Sequence, residues 1–592
     1  MKICRTFANT LSHTSHITHH TSHITHHTSH ITHHTSHITH LTSHISHLKS
    51  HISNLTSQIF YMKKHIFFTL SLLFVAFSCF AQNEIDPITE GMECTSITVG
   101  KRASADGSVM TSHTDDSHRS RTNILVEPAR DHSAGEKQTL VKRQWAKQEP
   151  GKMARYENVP VGEIDQIAHT YHFLNTAYPC VNEKQLAIGE STFGGRAELK
   201  SDSGLIDCQC LCMLMMQRCA TAREAIRMAG DLLKRYGWND AGECLTIADK
   251  NEVWHLEILG PGKGKVGAVW AAQRVPDDHV AVNANASTIR EINLKDKDYF
   301  MASDNVYSLA KENGWWDGKS TFQFAYAYAP STRTMIACRR REWRVFDLLA
   351  PSLHLDPNSE NYPFSVKPDT LVTIEKMMSV FKDYYEGTPY DMRKTLTVAD
   401  KDGKQVISPM ANPFMKRDEL NLFRINGGWN ELGERNIAVH FTVYGTIIQC
   451  RADLPDEVGA LCWFALDNVA SSIYVPIYAN VTDLPETYKT DGRITGFSKD
   501  AAWWGFNRVG TIACQRWGDM HVVIDNVWNP LQRRFIDEHY NTEKEALKLL
   551  RDGKRTEAIQ TLTDFTNYCG NKAVNEAWKL GDYIWTVFDG MW

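Results

Sequence analysis

Cys94 is the residue of this chain best placed to do chemistry. It opens the run Cys94-Thr95-Ser96-Ile97-Thr98-Val99-Gly100. A cut just before it would put a thiol and an α-amino group on one residue. An α-amine has a pKa of about 7.7–8.0, so a useful fraction is neutral near pH 7. A nucleophile and its general base then sit together, the pairing needed to open an amide bond. Residues 95–99 alternate as a strand, Ala105-Asp106-Gly107-Ser108 is turn chemistry, and residues 109–113 return as a second strand. This hairpin predicts that His113, Asp115 and Asp116 lie beside Cys94.

What precedes Cys94 supports such a cut. Residues 13–40 repeat the unit His-Thr-Ser-His-Ile-Thr-His, and the degenerate tract reaches about residue 57. Fifteen of the 27 histidines fall within residues 1–61, which hold no Asp or Glu. The tract reads as low-complexity sequence outside the natural protein; metal binding is the weaker alternative. Met62-Lys63-Lys64 and the apolar run 66–77 form a secretory signal over 62–81, too short to span a bilayer as a helix. Residues 82–93 are left as a short acidic pro-segment. A lipid-modified Cys79 fits less well, because Phe77 stands where a small or aliphatic residue is usual. The expected destination is outside the cytoplasm, periplasmic or extracellular.

The elements that must position Cys94 read as strands, a helical stretch, then strands again. Residues 168–175 and 185–190 are strand-like. Residues 205–235 read as helical throughout, with the capping-box pattern Thr221-Ala222-Arg223-Glu224. Strands follow at 245–248, 253–259, 266–272 and 280–283. Later, 372–385 and 542–562 are amphipathic helices, while 437–448 and 460–475 look like strands. The pattern predicts an α+β layered core with a large C-terminal elaboration from about residue 300. No Pro-, Gly- or Ser-rich linker divides residues 94–592.

Other motifs fail on context. Gly262-Lys-Gly264-Lys-Val-Gly267 matches a dinucleotide fingerprint, but a strand and not a helix is predicted to follow it, so it reads as a hairpin turn. Cys208, Cys210 and Cys212 lie in an apolar helical stretch without a second ligand pair, and read as buried small hydrophobes. Trp503, Trp504 and Trp517 read as packed core. The formal charge of −5 comes from 64 basic and 69 acidic residues without a basic stripe, which argues against nucleic acid. No segment downstream of the signal is long and apolar enough to cross a membrane.

Residues 94–108 closely resemble the start of the mature C69-type dipeptidases, members of the N-terminal-nucleophile hydrolases with the secernins as eukaryotic relatives. The resemblance continues through Asn182-Glu183-Lys184-Gln185-Leu186-Ala187-Ile188-Gly189-Glu190-Ser191-Thr192-Phe193 and Gly242-Glu243-Cys244-Leu245-Thr246-Ile247-Ala248-Asp249. It extends through Asn283-Ala284-Asn285-Ala286-Ser287-Thr288-Ile289, Glu386-Gly387-Thr388-Pro389-Tyr390-Asp391 and Arg451-Ala452-Asp453-Leu454-Pro455-Asp456.

The resemblance implies a four-layer αββα sandwich, autocatalytic loss of the pro-segment, Cys94 as nucleophile, a small peptide as substrate, and no metal or cofactor. Related acylases place an Arg and an Asp three residues apart on the second strand; here these positions are His113 and Asp116. Asp116 would orient the α-amine, and His113 would hydrogen-bond the substrate or the thiolate. An Asn of those acylases falls near Thr192. Asn285 is the first candidate for an oxyanion donor and Asn283 the second. An amidase of the same fold acting on non-peptide amides, or a catalytically silent scaffold, are the alternatives. Assembly into a homo-oligomer is left open.

Overall fold

A tight turn folds the first two described strands onto each other. Asp106 Oδ1 accepts from Ser104 Oγ at 2.5 Å, Ser108 N at 3.1 Å and Ser108 Oγ at 2.6 Å, while Gly107 takes a φ of +74° that suits glycine. The computed structural model describes residues 94–416, 419 and 434–591. The His-rich tract, the predicted export signal with Cys79, and the predicted pro-segment lie outside the described residues.

The strands that build the site are β1 (Cys94–Val99), β2 (Val109–Asp116), β3 (Ala187–Thr192), β4 (Glu243–Ala248), β5 (Val253–Leu259), β6 (Val280–Asn283), β7 (Thr442–Cys450) and β8 (Ala460–Leu466). The main helices are α1 (Cys208–Arg218), α2 (Ala222–Tyr236), α3 (Ile336–Leu349), α4 (Ala502–Ala513), α5 (Trp517–Arg551) and α6 (Arg555–Val587).

The protein is mixed α+β, with two large antiparallel sheets. One runs Ser365–Val366, β6, β1, β2, β7, β8, Val475–Tyr478. The other runs Phe300–Ala302, Val269–Arg274, β5, β4, β3, Val181–Asn182, Phe173–Asn175, Leu125–Glu127. Every residue of β1, β2, β4, β5, β7 and β8 is buried. Strands covered on both faces need partners on both. β3 packs on β1 and β2, α2 packs on β4 and β5, and α4 packs on β8.

The sheets approach each other tightly at Gly189. A Cβ there would lie 2.2 Å from Ser112 O and 2.5 Å from Thr246 Oγ1, so no larger residue fits without moving backbone. Polar side chains line this seam and bond across it. Ser96 Oγ donates to Glu190 O at 2.7 Å, and Thr111 Oγ1 donates to Thr246 O at 2.9 Å.

Several predicted elements break where local chemistry intervenes. The helical stretch 205–235 is two helices. Asp207 caps α1 through Cys210 N at 2.8 Å, and Thr221 with Glu224 caps α2 in the predicted box. Strand 460–475 ends at Leu466 because Asp467 takes φ +65°, and the chain resumes as Val475–Tyr478. Helix 542–562 is divided between α5 and α6 at Gly553, whose φ is +76°. After Gly262, Gly264 and Gly267 comes the strand Val269–Arg274 and no helix, so no dinucleotide cradle forms there. The cysteines from Cys94 onward are all thiols among the described residues. No described helix is long and apolar enough to cross a membrane.

Candidate active site

The hairpin register sets Cys94 directly opposite Asp115 and Thr95 opposite Thr114. Side chains alternate across a strand, so Cys94, His113 and Asp115 share one face while Thr114 and Asp116 share the other. The first face meets β3. Cys94 Sγ donates to Glu190 Oε2 at 3.3 Å. His113 Nε2 lies 3.2 Å from the same oxygen, off the line of a good hydrogen bond. Tyr178 and Tyr444 hold the His113 ring edge-on, with centroids at 5.4 and 5.7 Å.

The other Glu190 oxygen, Oε1, is 3.0 Å from Thr192 Oγ1, and that hydroxyl is 2.8 Å from Glu243 Oε1. One hydroxyl donates one hydrogen, so the second contact is satisfied when a carboxyl carries a proton. The electrostatics say which. Burial raises the Glu190 carboxyl, but contact with His113 and Glu243 and the charge of Arg143 more than offset it and hold it at about 2. Burial, then the Glu190 charge, push Glu243 well above the usual carboxylate range. Glu190 is therefore the anion and Glu243 the acid. Burial also lifts Asp115, to about 6, against the charges of His113 and Arg143.

Asn285 closes the site from the end of β6. Its φ is +60°, a left-handed conformation that Asn tolerates. Its Oδ1 accepts from Cys94 N at 3.3 Å and from Arg341 Nη2 at 2.7 Å. Its Nδ2 donates to Thr192 O at 2.5 Å. The Asn285 atom facing Cys94 is thus an acceptor. Asn283 Nδ2 donates to Ala286 O at 2.8 Å. Asp116 occupies the opposite face of β2, where Arg435, Thr442 Oγ1 at 2.6 Å and Thr114 Oγ1 at 3.0 Å hold its carboxylate.

Three residues of this site were not singled out in the sequence: Glu190, Glu243 and Arg341. Arg341, on α3, is fully buried. Its Nη1 donates to Cys94 O at 2.7 Å and Thr95 Oγ1 at 2.9 Å, its Nη2 to Ala284 O at 3.1 Å as well as to Asn285, and its Nε to Ala337 O at 3.0 Å. One guanidinium so fixes β1 against the Asn285 loop. Burial, then Arg435 nearby, lower it to about 10, still a cation at neutral pH. A carboxylate following the run Ala187-Ile188-Gly189, as at Glu190, was the signal available.

The family model for peptidase family C69 matches residues 93–529. The chain belongs to peptidase family C69. Among curated proteins, it is 27% identical over 407 residues to a probable dipeptidase of Latilactobacillus sakei, covering 67% of this chain and 76% of that one. It is 26% identical over 404 residues to a probable dipeptidase B of Lactococcus lactis subsp. lactis, covering 67% and 76%. A probable dipeptidase of Salmonella dublin is 24% identical over 398 residues, covering 65% and 80%. The family match begins one residue before Cys94, so the C69 portion of the chain contains every group described above. Two cavities of this C69 chain, about 290 Å³ beside Arg121 and about 670 Å³ beside Trp315 and Trp316, are lined by none of Cys94, His113 or Glu190.

Proposed function

We propose that this C69 peptidase is a cysteine dipeptidase whose nucleophile is Cys94 at the start of the mature chain. The observation that carries the proposal is the pair of contacts at that residue: Sγ on Glu190 Oε2 and the nitrogen on Asn285 Oδ1. Removal of residues 82–93 turns this nitrogen into an α-amine. The amine takes the thiol proton, and the thiolate adds to the scissile carbonyl of a small peptide, forming the C–S bond. Collapse of the tetrahedral adduct breaks the C–N bond, and the α-ammonium returns the proton to the leaving amine. Water then hydrolyses the thioester. Asn285 orients the amine in this scheme, its Oδ1 accepting from that nitrogen. Asp116 acts at one remove, by pairing with Arg435 behind β2.

The two sheets in contact through β3, with helices on β4, β5 and β8, agree with an αββα sandwich of the N-terminal-nucleophile type. Residues 62–81 direct export in this proposal, to a periplasm or the exterior. Intact mass and N-terminal sequencing of the purified active protein, with dipeptide assays on Cys94→Ala, test it. A chain starting at Cys94 and a dead variant are expected. A chain with Cys94 internal, or undiminished hydrolysis by Cys94→Ala, would overturn it.

A further inference from the structure

We propose that Cys94, His113 and Glu190 form a binding site for a thiophilic divalent cation, zinc fitting best, which switches the nucleophile off. The three ligand types are a thiol, an imidazole nitrogen and a carboxylate, the set zinc prefers. Zinc binds these at about 2.3, 2.0–2.1 and 2.0–2.2 Å in tetrahedral geometry. Tetrahedral angles then separate neighbouring ligand atoms by about 3.3–3.6 Å. The separations here are 3.3 Å from Sγ to Oε2 and 3.2 Å from Nε2 to Oε2, and all three atoms lie within 4.8 Å of one another. Two of the three separations so match tetrahedral ligation to within tenths of an ångström.

The ligands are also held in place. Two strands of one sheet and one of the other supply them, all three residues are buried, and the tyrosine pair fixes the imidazole. Thr192 anchors the Glu190 oxygen that does not face the metal, as outer-shell partners of ligating carboxylates do. A thiolate and a carboxylate balance the charge of a dication in this buried place. The adjoining trio Glu190, Cys208 and Glu243 offers no nitrogen, and Mg²⁺ or Ca²⁺ would find too few oxygens at either set.

Binding breaks the S–H bond, forms a sulfur–metal bond and releases the proton to buffer, with no change of oxidation state. The fourth position is left to water or, after the cut before Cys94, to the α-amine. Loss of hydrolysis on binding rests on the proposed role of Cys94; the site itself does not.

The test confines its readouts to the Cys94 sulfur, so that imidazoles elsewhere, the fifteen of residues 1–61 included, do not report. The full chain is titrated with Co²⁺, and Zn²⁺ is then added beyond the capacity of that tract. One equivalent of Co²⁺ should give a thiolate charge-transfer band that Cys94→Ser lacks and Zn²⁺ displaces. Glu190→Gln and His113→Asn should each weaken binding at least about tenfold, the loss even outer-shell partners cause. In the unsubstituted protein Zn²⁺ should protect Cys94 from iodoacetamide, EDTA should reverse this, and Mg²⁺ should do nothing. A band that survives Cys94→Ser, or alkylation of Cys94 unaffected by Zn²⁺, would overturn the site whatever the fate of the variants. A protein that shows zinc protection without dipeptide hydrolysis would instead sink the proposed function and leave the site standing.

Discussion

Cys94 faces Glu190 from the other sheet, 96 positions along the chain, and this contact explains what could and could not be read in advance. Cys94 and His113 belong to one hairpin, so turn chemistry at Asp106-Gly107 was enough to bring them together. Glu190 and Glu243 join them only because two sheets pack face to face, and Arg341 only because α3 lies against β6. No local spacing encodes either meeting. The residue-scale prediction follows from the split between the two carboxyls. Glu190→Gln keeps the shape but removes the anion shared by the thiol and His113. We expect kcat/KM on dipeptides to fall about 10²–10⁴-fold, the usual worth of a positioned proton-handling group. Cys94→Ser should lose more, and Cys94→Ala all measurable turnover. Parent-like kcat/KM in Glu190→Gln would show that the carboxylate is only structural.

At the scale of elements, hydrophobic pattern and caps were legible, and interruptions were not. The box at Thr221 was visible as Thr-Ala-Arg-Glu, and the fingerprint-like glycines at 262–267 were correctly read as a turn. The break at Gly553 was hidden because apolar periodicity continues on both sides, as α5 and α6 each bury a face. Asp467 was hidden because the apolar runs on either side, 460–466 and 473–478, outweigh the turn pair Asp467-Asn468. The element-scale test contrasts a seam residue with a cap. In Gly189→Ala the added methyl meets Ser112 O, so sheets that hold Glu190 against Cys94 must part. A loss of about 1–3 kcal/mol, as for overpacking, and a fall in kcat/KM are expected together. Thr221→Ala should cost about 1 kcal/mol through the lost cap and leave kcat/KM unchanged. Urea unfolding with parallel assays reads both; equal kinetic effects would mean that the seam does not set the geometry of the site.

For the whole molecule, the buried carboxyls decide how stability varies with pH. Burial raises Asp467 and Glu257 to about 7, and Asp207 to about 6, as it does Asp115. Each folded value exceeds the ordinary one, so the folded state holds the extra protons. Their contribution is complete below about pH 4 and is lost as the pH rises towards 7. Glu190, held at about 2, runs the other way: its contribution is present above about pH 4.5 and lost as the pH falls towards 2. Stability should therefore decline between pH 5 and 8. Asp467 offers the cleanest test, because its left-handed φ suits Asn and Asn507 Nδ2 donates to its Oδ1 at 2.7 Å, a bond an amide oxygen accepts equally well. A three-unit rise corresponds to about 4 kcal/mol as an upper bound. Asp467→Asn should recover a large part of this at pH 8, gain little at pH 4, and flatten the slope between them in urea midpoints. An unchanged slope would mean that Asp467 is ionised in the folded protein at neutral pH, with its charge balanced by Arg493 despite the burial.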